Sequence, residues 1–327
     1  MPLAAKHVLI VSPASARENN GNWQTASRWC HFLRSRYQVA IAADCCANAN
    51  APDMLIALHA RRSAGAVAAF ARAFPQRPCV VVLTGTDLYR DIAHSPEARA
   101  SLDAAGALVV LQSDGLNLLA PQHRAKAHVI YQSAPTMQAA AHGAQRRHYD
   151  VCMIGHLRSE KDPYTFMRAS TLVTSAKVRL LHIGGALESS LGQAATATAA
   201  VTTRYQWLGN LPHSATRQRL ARSHVMAICS LMEGGANVII EAVTCGVPVL
   251  ASDISGNRGM LGDDYAGYFP VGEAAALARL IDRSVDDPVF YALLKEQCAA
   301  RADLFSPHKE RAGLLQLVDN QFLPERA

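Results

Sequence analysis

No stretch of the 327 residues approaches the ~20 consecutive apolar residues that a membrane-spanning helix requires. The apolar runs are strand-sized, as in Val80-Val81-Val82-Leu83. Charged residues are sparse, at 18%, and aromatics make up only 6%. The formal net charge of +6 is scattered, with no basic tract and no aromatic platform for stacking bases. That argues against nucleic acid as a partner and for a small, phosphate-rich substrate. The eight cysteines (Cys30, Cys45, Cys46, Cys79, Cys152, Cys229, Cys245 and Cys298) lack the paired spacings of a zinc site or a redox motif. Cys79, Cys152 and Cys229 fall inside apolar segments, so structural thiols and a cytoplasmic location are expected. No Asp-x-Asp pair offers a metal site. Asp263-Asp264 and Asp286-Asp287 read as loop and cap residues, so no metal and no cofactor are expected.

What the chain does have is apolar material, at 50% of residues, and a length beyond the ~250–300 residues over which a single core keeps growing. Lys6 followed by Val8–Val11 and Ala14-Ser15-Ala16 imitates a signal peptide, but the apolar stretch is too short and reads as a first strand and its loop. Strands are predicted at His7–Ser12, Tyr37–Ala42, Met54–His59, Cys79–Thr84, Ala107–Gln112 and His128–Gln132, with helices such as Trp23–Arg34 and Ala64–Ala73 between them. The weakly patterned stretch Ala134–His148 reads as a linker. A second series follows at Asp150–Ile154, Val178–Ile183, Tyr205–Leu208, Val225–Ser230 and Val247–Ala251. Asp162-Pro163, Asp287-Pro288 and Ser306-Pro307 each signal a capped helix start. The expectation is α/β: two Rossmann-like domains, residues 1–140 and 149–305, facing each other across a cleft. The last helix, residues 306–327, is expected to pack back on the first domain.

The most informative string runs from Ser230 through Glu233-Gly234-Gly235-Ala236-Asn237 to Glu241. It leaves an apolar strand, passes two glycines and opens a helix, which presents backbone N–H groups and a positive helix end to an anion. Glu241 lies about one turn into the helix, where a carboxylate can grip vicinal hydroxyls such as those of a ribose. Glu233 precedes the turn and can hold a sugar hydroxyl. A plain strand–loop–helix junction with solvated glutamates would read the same way in isolation. In Gly155-His156-Leu157-Arg158-Ser159-Glu160-Lys161, cations follow the first strand of the second domain.

This Glu-x7-Glu spacing, the continuation through Ala242–Pro248 and the Trp207-Leu208-Gly209 segment resemble the donor-binding signature of GT-B glycosyltransferases, family 4 in particular. The resemblance implies a nucleotide-sugar donor, metal-independent transfer and binding of the donor by His156, Gly209, Gly234, Gly235, Ala236, Asn237 and Glu241. It also implies that Lys161 and Arg158 neutralise the departing diphosphate and that Glu233 takes part in catalysis. Where the family places an arginine this sequence has His156, with Arg158 two places later.

The first domain is expected to bind the acceptor. Asn20, Gly21 and Asn22 follow its first strand, where asparagine and glycine can present N–H groups to an anion or form a plain turn. His59, Arg61 and Arg62 end the third strand and point to an anion site or to the surface. Thr84-Gly85-Thr86-Asp87 ends the fourth like a phosphate cradle. For an acceptor hydroxyl, His59 or Asp87 is the nearest base. With these strings, "NNGNWQTA", "LIALHARRSA", "VVLTGTDLYRDI" and "GHLRSEKDP" are similar to the selenosugar synthases of selenoneine biosynthesis. That similarity implies transfer of N-acetylglucosamine or a related hexose from a UDP-sugar to the selenium of selenophosphate, with UDP and phosphate released. It also implies functional coupling to selenophosphate synthetase and selenoneine synthase. An ordinary family-4 transferase acting on a glycan or lipid hydroxyl, and a non-catalytic nucleotide-sugar sensor, are the alternatives. No membrane partner is expected.

Overall fold

The computed structural model describes residues 6–15, 21–45, 51–138 and 147–323. The chain divides into two compact units, residues 1–133 with 306–327, and residues 134–305.

The first unit is built on six strands: β1 (His7–Val11), β2 (Gln38–Ala42), β3 (Met54–Leu58), β4 (Cys79–Leu83), β5 (Ala107–Val110) and β6 (Ala127–Val129). They lie in the order β2-β1-β3-β4-β5-β6, with every neighbouring pair parallel. β3 and β4 are buried at every position, as a parallel sheet covered on both faces requires. Val8, Ile10, Ile56, Val80 and Val82 pack on one face with Trp29 and Leu33 of helix Gly21–Leu33 and Leu314 and Val318 of helix Pro307–Phe322. Leu9, Leu55, Val81 and Leu83 alternate onto the other face, against Phe70 of helix Ala64–Ala73 and Leu102 of helix Pro96–Ala104.

Helix Pro307–Phe322 starts at an N-cap, Ser306, whose hydroxyl accepts from the Lys309 N–H at 3.3 Å. One turn in, the fully buried Glu310 carboxylate accepts from Arg28 Nε and Trp29 Nε1, each at 2.8 Å, and from Ser133 Oγ at 2.5 Å. The Glu310 carboxylate thereby fastens Ser133 and the first turns of the last helix to helix Gly21–Leu33. This also explains why β6 ends earlier than the sequence pattern suggests. Gln132 donates to Thr25 Oγ1 and Ser133 to Glu310, which draws the chain off the sheet.

The second unit repeats the plan with β7 (Tyr149–Ile154), β8 (Val178–Ile183), β9 (Tyr205–Trp207), β10 (Val225–Ile228), β11 (Val249–Ser252) and β12 (Tyr268–Phe269), in the parallel order β12-β11-β10-β7-β8-β9. The two-residue β12 is too short to leave a pattern in the sequence. Both units are thus α/β Rossmann-like halves. In each, the strand order reverses once, between β1 and β3 and between β7 and β10, and the carboxyl ends flanking that reversal are where such sheets place ligands.

Replacing Glu310 by alanine removes the buried acceptor shared by Trp29, Arg28 and Ser133, and it is expected to lower stability by about 3 kcal/mol. Urea denaturation of the full chain followed by tryptophan fluorescence measures this. An unchanged midpoint would contradict the role given to Glu310.

Candidate functional site

At the β7/β10 reversal the loops after three strands interlock. The N–H of Gly155, just past β7, donates to the Ile183 carbonyl at 2.9 Å, and that of Gly184 donates to the Gly209 carbonyl at 2.8 Å. Gly184 has φ +152°, and a Cβ there would overlap the Gly155 carbonyl, so the approach of the two loops needs glycine. Beneath them His182, on β8, is fully buried. Its Nε2 lies 3.3 Å from the Gly155 carbonyl, which can only accept; the proton therefore sits on Nε2, and Nδ1 accepts from the Tyr205 hydroxyl at 2.9 Å. Burial lowers the His182 imidazole to a pKa of about 4.

Above this support, the Gly185 N–H donates to His156 Nδ1 at 3.1 Å, which puts the His156 proton on Nε2. Burial and then the neighbouring Arg158 charge lower its pKa, so a neutral imidazole faces the loop. Lys161 ends a short 3-10 turn, Ser159–Lys161. The chain then reverses at Asp162, whose φ of +42° is left-handed and whose side chain caps helix Pro163–Leu172 by accepting from the Thr165 N–H at 3.3 Å and Oγ1 at 2.5 Å.

Here the sequence-distant halves of the site meet. Lys161 Nζ forms an ion pair with Glu233 Oε1, their side chains only 17% and 11% exposed. The Ser230 hydroxyl donates to the same carboxylate oxygen at 2.6 Å, and the Leu231 N–H ties the β10 loop to the Glu160 carbonyl at 2.9 Å. Glu233 is also fixed from below: a Cβ on Gly256, in helix Ser255–Leu261, would overlap the Glu233 carbonyl. The glycine loop leads into helix Asn237–Thr244, whose N-cap, Ala236, has no side-chain oxygen to cap it. Glu241, further along, is 12% exposed and is bonded through Oε1 to His213 Nε2 at 2.7 Å. Gly209, with φ +68°, turns the chain after β9. The structure therefore gathers Lys161 with Glu233 and places Glu241 with a partner. Ser230, Gly256, His182 and His213 belong to this arrangement as well. Sequence reasoning passed over the last three because nothing in the local pattern links them to the loops they support.

In the first unit, the strand ends of β3 and β4 form a second cluster. His59 is buried in left-handed backbone at φ +72°, a conformation that costs a residue with a Cβ on the order of 1 kcal/mol and that ends β3 one residue before the sequence pattern does. The Arg62 N–H donates to its Nδ1 at 3.3 Å, which leaves Nε2 to donate to Thr86 Oγ1 at 3.0 Å. Burial pushes its pKa down; Asp87 opposes that push and Arg62 reinforces it. Asp87 opens a π-helical turn, Asp87–Asp91, and is fully buried. Its carboxylate accepts from the N–H groups of Ala60 at 2.9 Å, Thr84 at 2.9 Å and Gly85 at 2.8 Å. The Thr84-Gly85-Thr86 turn, which reads as a phosphate cradle in sequence, thus directs its N–H groups onto the chain's own carboxylate. Arg61 Nε donates to Asp91 at 2.8 Å and Arg90 Nε at 3.3 Å. Burial would raise the Asp91 carboxyl, but these two hydrogen bonds outweigh it and hold it below its ordinary value. Arg62 is exposed. Gly21 and Asn22 begin helix Gly21–Leu33, whereas Asn20 lies outside the described residues.

Among the described residues, no group of three or more His, Cys, Asp or Glu is placed to hold a metal, and no helix is long and apolar enough to cross a membrane.

The family of glycosyl transferases group 1 matches residues 137–303. No protein of curated function matches the chain. Among solved structures, HepE from Anabaena, in complex with UDP and glucose, is 16% identical, covers 97% of this chain and 100% of its own, and superposes with a TM-score of 0.77. Sucrose-phosphate synthase from Thermosynechococcus elongatus is 15% identical over 97% of this chain and 99% of its own, with a TM-score of 0.80. The pneumococcal O-GlcNAc transferase GtfA, in complex with UDP and GlcNAc, is 16% identical over 83% of this chain and 57% of its own, with a TM-score of 0.65. At these identities the likeness is one of fold, the GT-B arrangement of two Rossmann-like halves.

His182 gives the site a pH signature. Its folded pKa of about 4 lies below the ordinary histidine value of 6.5, so the unfolded chain binds more protons between the two. The native state holds its full advantage above pH 6.5 and loses roughly 3 kcal/mol as the pH falls to 4. Denaturation measured across that window should show a shallower loss for His182→Gln than for the wild type; parallel curves would contradict a neutral His182.

Proposed function

Because the chain belongs to the group 1 glycosyltransferases, we propose that it carries a hexosamine, N-acetylglucosamine, from a UDP-sugar to the selenium of selenophosphate. In the transfer the bond between the anomeric carbon and the β-phosphate oxygen breaks, and UDP leaves with the electron pair. A selenium lone pair forms the new bond to that carbon. Water then cleaves the selenium–phosphorus bond, giving phosphate and the selenosugar.

The donor half of this reading rests on the second unit. Lys161, with Arg158 and the Nε2–H of His156, supplies positive charge and a donor where the diphosphate gains charge, beside the N-terminus of helix Asn237–Thr244. Glu233, held by Ser230 and Gly256, is placed to orient a sugar hydroxyl once Lys161 turns to phosphate. Glu241 takes the ribose.

One observation carries the acceptor half. At the strand ends of the first unit, each described titratable group near Thr86 is already committed. His59 has its lone pair on the Arg62 N–H and its proton on Thr86, Asp87 is filled by three backbone N–H groups, and Asp91 is held by arginines. A hydroxyl would therefore meet no base among these that is not already hydrogen-bonded. Arg61, Arg62 and Arg90 outnumber the carboxylates of Asp87 and Asp91 by one, and that excess suits a nucleophile that arrives ionised, as selenophosphate does. The "NNGNWQTA" and "LIALHARRSA" strings favour the same acceptor.

Purified protein incubated anaerobically with UDP-N-acetylglucosamine and selenophosphate should yield UDP and a selenium-bearing hexosamine by mass spectrometry. Release of UDP only with a sugar or lipid hydroxyl acceptor would overturn the selenophosphate assignment and leave the transferase. The Lys161→Ala variant should retain its circular dichroism and lose about 100-fold or more in turnover. Wild-type turnover in that variant would remove Lys161 from the chemistry.

A further inference from the structure

Glu241 is a carboxylate set against a helix, and a carboxylate with one free end turns about its last bond. It is not free here: His213 Nε2 meets Oε1 at 2.7 Å, while the imidazole side chain itself remains 56% exposed. His213 is the first residue of helix His213–Arg222, behind Pro212, which supplies no capping side chain. A helix N-terminus disfavours a cationic imidazole, so the pairing is one that Glu241, not the helix, stabilises. We infer that His213 is a positioning residue for the donor: it holds the Glu241 carboxylate in the orientation that grips both ribose hydroxyls, and it thereby sets how strictly the site demands a 2′-hydroxyl. The inference rests on the donor-site reading above.

The chemistry follows from lone pairs. An ionised carboxylate accepts at about four positions; the imidazole N–H takes one on Oε1 and leaves Oε2 and the remaining Oε1 position for the vicinal diol. With its orientation fixed in advance, Glu241 loses less freedom when a nucleotide binds. A ligand lacking the 2′-hydroxyl forfeits one of those bonds, and a site built for a hydroxyl penalises its absence. Two charged groups act on His213: Glu241 on the facing helix and Arg217 one turn along its own, the latter also contacting Cys245. The hydrogen bond to Glu241 raises the imidazole pKa against burial and against Arg217. The clamp is therefore strongest at pH values where the imidazole is protonated, and it weakens as pH rises past the raised pKa.

Calorimetric titration of the full chain with UDP and with 2′-deoxy-UDP, at pH 6 and pH 8, tests this on wild type, His213→Ala, His213→Gln and Glu241→Gln. The expected result is that His213→Ala weakens UDP about tenfold but 2′-deoxy-UDP by less than about twofold, while His213→Gln, which keeps an N–H donor, restores most of the loss. The ratio of wild-type to His213→Ala affinity for UDP should be larger at pH 6 than at pH 8, a comparison from which UDP's own ionisation cancels. Equal weakening of both nucleotides, or no change, would overturn the positioning role while leaving the donor site in place. Failure of the wild type to bind UDP, or unchanged UDP binding in Glu241→Gln, would overturn the donor reading and the inference together.

Discussion

The arrangement of the second unit depends on one ion pair. Lys161 comes from the loop after β7 and Glu233 from the loop after β10, 72 residues apart in sequence, and the strand-order reversal brings them together in a place where both side chains are largely out of water. Neither charge is stable there alone, since an unpaired buried charge costs several kcal/mol. On the proposed reading, each is also the contact that a donor would replace. A donor that offers an anionic diphosphate to the lysine and a hydroxyl to the carboxylate exchanges one satisfied pair for two satisfied contacts. The features around the pair serve to keep it in place: the Gly184–Gly155 contact, the His182 hydrogen bond beneath Gly155, the Asp162 reversal and the seat that Gly256 leaves for the Glu233 carbonyl.

The first unit works by the opposite logic. Its acidic groups are consumed by the fold itself: Asp87 closes the turn at the end of β4 and Asp91 anchors Arg61 and Arg90. Arg61, Arg62 and Arg90 outnumber these two carboxylates by one. On the proposed reading, such a cluster suits an acceptor that arrives ionised.

Much of the fold was legible because parallel strands covered on both faces leave unbroken apolar runs; Met54–Leu58 and Cys79–Leu83 could hardly be anything else. The loops of the candidate site were legible for a related reason. The Glu233–Glu241 spacing and the cations after β7 sit on strand–loop–helix junctions whose geometry is set locally. The losses came wherever a contact spans the sheet. Thr84-Gly85-Thr86 looks like a phosphate cradle until Asp87 is seen to fill it, and the tie from Arg61 to Asp91 is reached only through a π-helical turn. His213 gives no local sign of Glu241, 28 residues on. Two-residue β12 and the early end of β6 went unseen because a strand that short has no period to read.

On the proposed reading, a nucleotide-sugar donor displaces the Lys161–Glu233 ion pair. The most direct measurement is a crystal structure of the protein with UDP-N-acetylglucosamine or UDP bound. The account predicts the pair opened, with Lys161 Nζ on a diphosphate oxygen and, in the sugar complex, the Glu233 carboxylate on a sugar hydroxyl. Nucleotide bound elsewhere with the Lys161–Glu233 pair intact would contradict it.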